Sequence, residues 1–401
     1  MVLIILATAL ILFVGYVVLI IYYRHCWLQI PTYNLSGEKL KIPSVASTKK
    51  SISTTKITVI IPARNEAQNI GHCLQSIIKQ TYPANLFEVI VVDDHSADDT
   101  SLIVRSFKKN NIHCISLKDF VTDKLNSYKK KAIEIAIEHS TGDLIVTTDA
   151  DCFMGKDWLK TIAAFYEEFI PAFIAAPVLI NSNNKFLSIF QSLDFMTLQG
   201  ITGAAVYKNM HCMCNGANLA YEKKAFNAVG GFKGIDSIAS GDDMLLMHKI
   251  YERYPDRVLF LKAAAAIVQT QPMHTLKDFF NQRIRWASKA DKYNDKRILP
   301  VLVLVYFLNV MLLLLPLLAI FNRQNFVIFN YSFSIIQYWI VLVILKTITE
   351  IFYLLPVAEF FNKKRILLWF PVAQPFHILY TIIAGWLGKF GTYQWKDRKV
   401  K

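Results

Sequence analysis

Four apolar stretches of membrane length frame a polar middle in this chain. The first, over residues 2–22, is an uncharged run of roughly 20 residues, which is enough to cross a bilayer core about 30 Å thick. Three more lie at 299–321, 333–357 and 367–387. With 54% hydrophobic residues among 401, the chain is too apolar for a purely soluble protein, yet its middle keeps an ordinary polar alternation. We therefore expect membrane helices on both sides of a polar domain.

Charged residues near the first stretch predict its orientation. No small-residue cleavage site follows it, so we expect a retained anchor over 1–23 and then a linker over 24–55. The C-terminal side of this stretch carries the basic residues Arg24, His25, Lys49 and Lys50. By the positive-inside rule that side is cytoplasmic. This predicts an integral protein of the bacterial inner membrane with its polar domain in the cytoplasm.

The C-terminal membrane region, 298–388, carries conflicting signals of topology. Its last stretch contains Pro371, Pro375 and His377, which are typical of a broken or interfacial helix. Three full crossings would also leave the basic tail, 389–401, outside the cell, against the positive-inside rule. We expect two crossings and one re-entrant or surface-lying segment.

The net charge of +14 favours anionic partners. No base-reading module accompanies the charge, so we do not expect nucleic-acid binding. Anionic membrane lipids and the diphosphate of a nucleotide sugar are better partners for basic residues beside membrane segments. The six cysteines show neither CxxC pairs nor the spacing of a zinc site, and they predict reduced cytosolic thiols.

Strand-like and helix-like blocks alternate through the domain at 56–297. The predicted strands are 58–61, 87–92, 112–117, 144–148 and 172–180. The predicted helices are a run capped by Asn65 and ending at Lys79, followed by 101–109, 129–139, 158–169 and 186–207. This rhythm, with mostly apolar strands, predicts a parallel sheet covered on both faces. Ligands of such sheets bind beyond the carboxyl ends of the strands.

Acidic residues follow two of these strands. Asp93 and Asp94 end one apolar run, where they are either turn and cap residues or a carboxylate that accepts the imide N–H of uracil. Asp149 and Asp151 end another, and alternation places both on one side. They are either solvated turn acids or a ribose contact beside a ligand of Mg²⁺ or Mn²⁺.

A third acidic pair, Asp242-Asp243, precedes a helix-like segment at 244–251. One reading is a helix N-terminus favoured by the helix dipole. The other is a general base, because repulsion between adjacent carboxylates is expected to raise the pKa of one of them.

Gln282, Arg285 and Trp286 are spaced i, i+3, i+4 and share one helix face. One reading is that they anchor the helix at the membrane interface, beside the following apolar stretch. The other is that Trp286 offers a flat surface for a sugar ring and Arg285 stabilises a diphosphate leaving group. The basic run 129–131 opens a helix and is either a solvated face or an approach to phosphate.

In this order the motifs resemble those of the family 2 glycosyltransferases, over about 56–290. The Gln282 to Trp286 pattern, QxxRW, is similar to that of the processive membrane branch, which includes the cellulose, chitin, hyaluronan and poly-N-acetylglucosamine synthases. The run IIPARNE at 60–66 looks like that family's first nucleotide-binding strand and loop. The resemblance implies an α/β, GT-A-like domain that binds a nucleotide sugar on a mainly parallel sheet, flanked by transmembrane helices.

The resemblance also implies roles for individual residues. The uridine pocket would be lined by Pro62, Arg64, Glu66 and Asp94, with Asp93 beside it and Lys130 near phosphate. The DxD motif would be Asp149 and Asp151, with Asp151 on Mg²⁺ or Mn²⁺. The catalytic group would be Asp243 as base, with Asp242 and Arg285. The acceptor side would be Gln282, Trp286, Asn215 and Gly216. The acidic pair is Asp-Asp where that family usually has Glu-Asp, which preserves the chemistry.

Together with these residues, the resemblance implies a membrane-bound inverting transferase that moves a sugar from a nucleotide-sugar donor, a UDP-sugar, to a lipid-linked or polysaccharide acceptor. Two alternatives stay open. One is a catalytically inactive scaffold subunit that keeps the fold. The other is a membrane transporter, suggested by Lys346 and Glu350, which lie four residues apart in an apolar stretch and are expected to pair.

Overall fold

The computed structural model describes residues 2–35, 54–121, 125–238, 241–289, 295–322, 326–328, 331–391, 393–395 and 398–400. Most of the predicted linker, with Lys49 and Lys50, lies outside these ranges. The N-terminal apolar stretch forms helix α1 (Val2–Gln29). It is longer than the predicted anchor, so Arg24 and His25 belong to the last turns of the helix rather than to a segment after it.

The first half of the polar domain alternates strands and helices, as predicted. In chain order its elements are β1 (Ile57–Ala63), α2 (Ile70–Ile78), β2 (Phe87–Asp93), α3 (Thr100–Ser106), β3 (Ile112–Ser116), α4 (Tyr128–Glu138) and β4 (Leu144–Thr147). The cap predicted for α2 was wrong. Helix α2 begins after Asn69, whereas Asn65 adopts a left-handed conformation with φ of 51° and accepts a hydrogen bond from the backbone N–H of Ala97 at 2.8 Å.

The second half adds shorter strands and the helices that carry the later motifs. Its elements are β5 (Phe153–Met154), α5 (Trp158–Phe169), β6 (Phe173–Ala175), β7 (Val178–Ile180), α6 (Phe186–Tyr207), β8 (Leu219–Glu222), α7 (Lys223–Ala228), α8 (Asp242–Arg253), β9 (Val258–Phe260), β10 (Val268–Thr270) and α9 (Leu276–Ala287). The single strand predicted over 172–180 was wrong, because Ala176 and Pro177 separate β6 from β7. The two strands pair in different sheets.

Seven strands form the main sheet, in the order β3-β2-β1-β4-β8-β6-β9. All neighbouring pairs are parallel except the two made by β8, which is antiparallel to β4 and to β6. Alternate residues of β1 enter different hydrophobic clusters, with Val59 and Ile61 in one and Ile60 in the other. Both faces of the sheet are therefore buried, which confirms the predicted α/β architecture. A smaller sheet has the order β5-β10-β7.

Three further apolar helices follow: α10 (Leu299–Phe321), α11 (Ile335–Phe360) and α12 (Phe370–Phe390). Two short hairpins complete the described chain: β11 (Phe326–Ile328) with β12 (Tyr331–Phe333), and β13 (Tyr393–Trp395) with β14 (Arg398–Val400). With α1, four helical segments among the described residues are long and apolar enough to cross a membrane. The break predicted in the last stretch was wrong. Helix α12 is continuous, with Pro371 in its first turn and Pro375 inside it.

The apolar helices share a core with the polar domain. Tyr23 and Trp27 of α1 belong to the same cluster as Ile60 and Phe260 of the main sheet. The rings of Trp27 and Phe260 lie 6.1 Å apart, edge to face. The ammonium of Lys262 donates to the carbonyl of Trp27 at 3.0 Å, which binds the end of α1 to the domain.

A polar cluster lies between α1, α11 and α12. Lys346 and Glu350 form the predicted pair, with 2.7 Å between Nζ and Oε1. The hydroxyl of Tyr16 and the side-chain amide of Gln374 also donate to Glu350. All four side chains are buried, so the pair is satisfied inside the helix bundle.

Candidate functional site

One cavity of about 430 Å³ collects most of the residues singled out from the sequence. One part of its lining includes Pro62, Arg64, Glu66, Asp94, Asp149 and Asp151. The remainder of the predicted group lines it from the other side: Asn215, Gly216, Asp242, Asp243, Gln282, Arg285 and Trp286. Of the predicted site residues, Asp93 and Lys130 lie outside this lining.

The two residues of the first acidic pair have different positions. Asp93 is buried, and its carboxylate accepts the backbone N–H of Ser96 at 3.3 Å, as a turn residue would. Asp94 lines the cavity, and its Oδ1 lies 3.0 Å from Nδ1 of His95. Arg64 fixes this loop by donating to the carbonyls of Asp94 at 2.9 Å and His95 at 3.1 Å.

Asp149 and Asp151 lie in the turn that follows β4. Oδ1 of Asp149 accepts from the ammonium of Lys129 at 2.8 Å, and Oδ2 of Asp151 accepts from the hydroxyl of Thr270 at 3.3 Å. Burial, together with the charges of Asp151 and Asp149, raises the pKa of the neighbouring Cys152 thiol well above its usual value. The DxD turn therefore offers carboxylate oxygens, with a neutral thiol beside them.

The basic run on α4 enters the site through Lys129. Its ammonium lies 2.8 Å from Asp149 and 3.3 Å from Asp242, so it bridges two acidic motifs. Burial alone would lower the pKa of Lys129, but Asp149, Asp242 and Asp243 more than compensate and raise it. Lys129 is therefore a permanent cation of the cavity.

The side chain of Lys130 points away from the cavity. Its ammonium donates to the carbonyls of Ile235 at 2.7 Å and Ile238 at 2.6 Å, and only 2% of the residue is exposed. Burial lowers its pKa to about 8. Lys130, which we expected near phosphate, therefore points away from the cavity, and its neighbour Lys129 is the lysine of this run that lines it. Lys131 pairs with Glu134 at the surface, which agrees with the reading of a solvated face.

Asp242 and Asp243 are the first two residues of α8, after Gly241. Burial would raise the pKa of Asp242, but the positive charges of Lys129, Lys289 and Lys130 hold it below its usual value. The increase that we expected from repulsion within the pair therefore does not occur at Asp242. Its carboxylate stays ionised at neutral pH.

The loop at Gly216 holds the other carboxylate of this pair. Oδ2 of Asp243 accepts the backbone N–H of Gly216 at 3.1 Å, and Oδ1 accepts the N–H of Met244 at 2.8 Å. A Cβ on Gly216 would lie 3.3 Å from Nζ of Lys129 and 3.4 Å from Oδ2 of Asp242. This position is therefore restricted to a small residue by the ion pair beside it.

Helix α9 presents the QxxRW residues along its cavity face. Oε1 of Gln282 accepts from Nη1 of Arg283 at 2.9 Å. The guanidinium of Arg283 lies over the ring of Trp286 at 4.3 Å, and the ring of Phe195 lies 5.9 Å away at 40°. One face of the indole is therefore covered by Arg283, so a sugar would have to meet the other face or the edge.

Several lining residues were missed in the sequence. Besides Lys129, they include Phe195, Thr270, Asp278, Asn281 and Lys289. Helical spacing could have found some of them, because Asp278 and Asn281 lie four residues before Gln282 and Arg285, and Lys289 lies four after Arg285. The side chain of Asp278 also accepts from the hydroxyl of Thr275 in the cap of α9.

The charges of the lining are unequal. Seven carboxylates line the cavity, and they come from Glu66, Asp94, Asp149, Asp151, Asp242, Asp243 and Asp278. The basic side chains are those of Arg64, Lys129, Arg285 and Lys289. A lining with this excess of carboxylate suits a cation as one of its ligands.

A second cluster has the residue types of a metal site, but its carboxylate oxygens are already occupied by hydrogen bonds. Cys212, His248 and Asp295 bring their ligand atoms within 4.8 Å of one another. Both oxygens of Asp295 already accept two hydrogen bonds each, from Arg297 and from the backbone of Cys212. Burial also raises the pKa of the Cys212 thiol to about 12. This cluster therefore has a structural role, in which Asp295 joins Arg297 to the backbone at Cys212.

The mainly parallel sheet, the acids at its strand ends and the cavity above them define a GT-A-like α/β domain. Residues 58–230 match the sequence profile described as Glycosyl transferase family 2. Over these residues the chain is therefore similar in sequence to the family 2 glycosyltransferases.

Two curated relatives and one solved structure place this domain among known proteins. The probable glycosyltransferase YdaM of Bacillus subtilis (strain 168) is 28% identical over 237 residues, which are 58% of this chain and 54% of that protein. The poly(ribitol-phosphate) beta-N-acetylglucosaminyltransferase TarS of Staphylococcus aureus (strain Mu50) is 33% identical over 113 residues, 28% of this chain and 19% of that protein. The chain thus spans about half or less of these relatives.

One similar solved structure is mannosyltransferase PcManGT from Pyrobaculum calidifontis, in complex with GDP-Man and Mn²⁺. The match covers 95% of this chain and 99% of that one, with a TM-score of 0.55 and 18% identity. At this identity the likeness establishes the fold alone. The shared fold extends beyond residues 58–230, which match the sequence profile.

Proposed function

We propose that this chain is a membrane-bound inverting glycosyltransferase that moves a sugar from a UDP-sugar to a lipid-linked or polysaccharide acceptor. The observation that carries the proposal is the meeting of Asp149, Asp243 and Arg285 in one cavity. A strand-end carboxylate, a candidate base and a cation for the leaving group are the parts that such a transfer needs.

At the donor end, Asp94 would accept the imide N–H of uracil, which cytosine lacks. Arg64 holds the loop that presents this carboxylate, through its hydrogen bonds to the carbonyls of Asp94 and His95. Lys129 would meet the diphosphate, because it is the permanent cation beside Asp149. Pro62 and Glu66 would complete the wall of the nucleoside pocket.

The lining also fits Mg²⁺ or Mn²⁺, since its carboxylates outnumber its basic side chains by seven to four. These ions prefer oxygen ligands and keep water and phosphate oxygens in their remaining positions. Asp151 and Asp149 would hold such an ion, which would supply neutralisation of charge on the departing diphosphate. In the mannosyltransferase of the same fold, Mn²⁺ accompanies the nucleotide sugar.

At the acceptor end, Asp243 would act as the base. Each of its oxygens accepts one backbone N–H, which fixes the carboxylate and leaves a lone pair for the acceptor proton. As the acceptor oxygen bonds to the anomeric carbon, its proton passes to Asp243 and the bond from that carbon to the diphosphate oxygen breaks. A single displacement inverts the anomeric configuration. Arg285 and Lys129 would stabilise the departing UDP.

The acceptor is proposed to be held near the bilayer. Helix α9, which carries Gln282 and Trp286, ends at Ala287, before α10 begins at Leu299, and it packs on α12. Both α10 and α12 belong to segments long enough to cross a membrane. A lipid-linked sugar or a growing glycan suits such a position better than a free cytosolic sugar.

The test uses the purified full-length chain with Mn²⁺ and labelled UDP-glucose, UDP-N-acetylglucosamine or GDP-mannose. A total lipid extract of the expression host serves as the acceptor. We expect donor-dependent UDP release and label in the lipid fraction, both absent from Asp243→Asn.

Each other outcome points to a named alternative. UDP binding without any transfer supports an inactive scaffold, and a product from GDP-mannose alone overturns the uridine assignment. Labelled sugar that crosses vesicles containing the protein, with no new bond, supports a transporter.

A further inference from the structure

Helix α9 has one face toward the cavity and another packed against neighbouring helices. Gln282, Arg285 and Trp286 face the cavity. Phe279 and Arg283 are buried on another face, and Ala287 continues this face at a spacing of four residues. Helices α6 and α12 are the neighbours along this second face, and through α12 one short helix separates the cavity from a candidate membrane span.

The apolar contacts between α9 and α12 are close along their length. The ring of Phe279 lies 5.9 Å from that of Phe376 and 5.4 Å from that of Tyr380. At the other end, a Cβ added to Gly388 would lie 2.6 Å from Cβ of Ala287 and 3.0 Å from the backbone N of Ser288. The two helices therefore touch backbone to backbone at Gly388, which leaves no room for independent movement there.

A buried polar group joins the same helices. Nη2 of Arg283 donates to Oδ2 of Asp194 at 2.7 Å, and the hydroxyl of Tyr380 donates to Oδ1 of Asp194 at 2.5 Å. The side chains of Arg283 and Asp194 are only 3% and 4% exposed. We call Asp194, Arg283 and Tyr380 the Asp194 cluster. It links α6, α9 and α12 through one carboxylate.

The Asp194 cluster reaches the cavity through Arg283. This guanidinium also donates to Gln282 at 2.9 Å and lies over Trp286 at 4.3 Å. Breaking a buried ion pair leaves a charge without compensation, so its geometry is strongly constrained. The positions of Gln282 and Trp286 are therefore coupled to Tyr380 on α12.

We infer that α12 is the positioning element of the acceptor side, acting on Gln282 and Trp286 through the Asp194 cluster and the Gly388 contact. The inference rests on the proposed function. Donor groups such as Arg64, Asp94 and Asp149 are carried by the loops of the main sheet, so a disturbance of α12 should change the use of the acceptor and leave donor binding unchanged.

The first test compares two glycines on α12. Gly388→Ala places its Cβ against α9, whereas Gly385→Ala places one 2.8 Å from the ring of Tyr306 on α10 and against no atom of α9. With full-length protein in nanodiscs, we expect Gly388→Ala to raise the half-saturating amount of lipid extract about tenfold, with the KM of the UDP-sugar unchanged. Gly385→Ala should match the wild type, and Ala287→Gly should partly restore Gly388→Ala.

The second test compares two buried tyrosines. Tyr380→Phe removes the hydrogen bond to Asp194, while Tyr353→Phe removes a hydroxyl that joins α11 to the carbonyl of Thr197 on α6. We expect only Tyr380→Phe to raise the half-saturating amount of lipid extract, by about threefold to tenfold for one lost hydrogen bond. It should also increase the share of UDP release that ends in hydrolysis. Equal changes in donor and acceptor constants, or equal effects of both tyrosines, would overturn the inference.

A third measurement needs no transfer activity. Hydrogen exchange of the amides at 276–287 should be faster in Gly388→Ala and Tyr380→Phe than in the wild type, with the strands of the main sheet unchanged. If no donor is used by the wild type but α9 loosens in these variants, the proposed function fails and the coupling stands. If α9 exchanges at the wild-type rate in both, the coupling itself is wrong.

Discussion

The ammonium of Lys129 lies 2.8 Å from the carboxylate of Asp149. The same ammonium is 3.3 Å from Asp242, so one side chain bridges the acid that follows β4 and the acid that begins α8. These two segments are distant in sequence, and their shared cation holds them on one cavity. A diphosphate entering between them would find this cation already in place.

Two adjacent lysines provide a matched test of that arrangement. Lys129→Met removes the cation of the cavity, and we expect UDP to bind about tenfold to a hundredfold more weakly, as for a lost hydrogen bond to a charged group. Lys130→Met removes an ammonium that points to the carbonyls of Ile235 and Ile238, so UDP affinity should stay at the wild-type value. Titration calorimetry with UDP and Mn²⁺ measures both. Equal affinities in the two variants would remove Lys129 from the donor site.

Removal of the metal gives a second prediction. Asp151→Ala should abolish metal-dependent turnover with the fold intact, and EDTA should do the same to the wild type. The control is Asp256→Ala, which removes an exposed carboxylate that does not line the cavity. Turnover is measured as UDP release, and Mn²⁺ binding by electron spin resonance of the free ion. Full activity in Asp151→Ala, or in EDTA, would exclude the metal role.

The base is tested by a nearly isosteric change. Asp243→Asn keeps an oxygen for the N–H of Gly216 but cannot accept a proton, so kcat should fall by roughly 10²–10⁴-fold. UDP affinity should survive, since the donor residues are untouched. If UDP affinity disappears together with turnover, Asp243 belongs to the donor pocket.

Much of the fold follows from sequence periodicity. The alternating blocks predicted the parallel sheet, because strands buried on both faces read as continuous apolar runs. Helix α6 was placed at its observed bounds, Phe186–Tyr207, from its length and apolar content. The strand over 172–180 was misread because one apolar run there serves two sheets, and periodicity does not reveal which neighbours a strand will pair with.

Other errors came from tertiary contacts that the sequence does not record. The break expected at Pro371 and Pro375 did not form. Pro371 lies in the first turn of α12, where its missing N–H has no partner within the helix, and Pro375 inside the helix is tolerated among neighbouring helices. In the run 129–131, successive side chains point about 100° apart, so the choice between Lys129 and Lys130 depends on how α4 packs. The positions of Asp93 and Asp94 also depend on local packing. Asp93 faces the turn and accepts the N–H of Ser96, whereas Asp94 faces the cavity.

Lys130 also predicts a pH dependence of stability. Burial lowers its pKa in the folded state to about 8, against about 10.4 in the unfolded chain. Between these values the unfolded state binds more protons, so the free energy of unfolding should rise with pH from about 8 to 10. Thermal melts in detergent should show this rise in the wild type and a flatter profile in Lys130→Met. An equally steep or steeper profile in the variant would mean that burial does not lower the pKa of Lys130.

The last prediction concerns Trp286, which lines the cavity with Arg283 over one face of its ring and Phe195 beside it. Trp286→Ala removes this surface, so transfer to lipid extract should fall by about tenfold to a hundredfold while UDP affinity changes little. Trp286→Phe keeps an aromatic face and should retain more of the transfer. The measurement compares label in lipid with total UDP release, and the expected signature in the alanine variant is release that ends in hydrolysis. Wild-type transfer by Trp286→Ala, or equally good transfer by the wild type to free soluble monosaccharides, would contradict an acceptor held near the membrane by this residue.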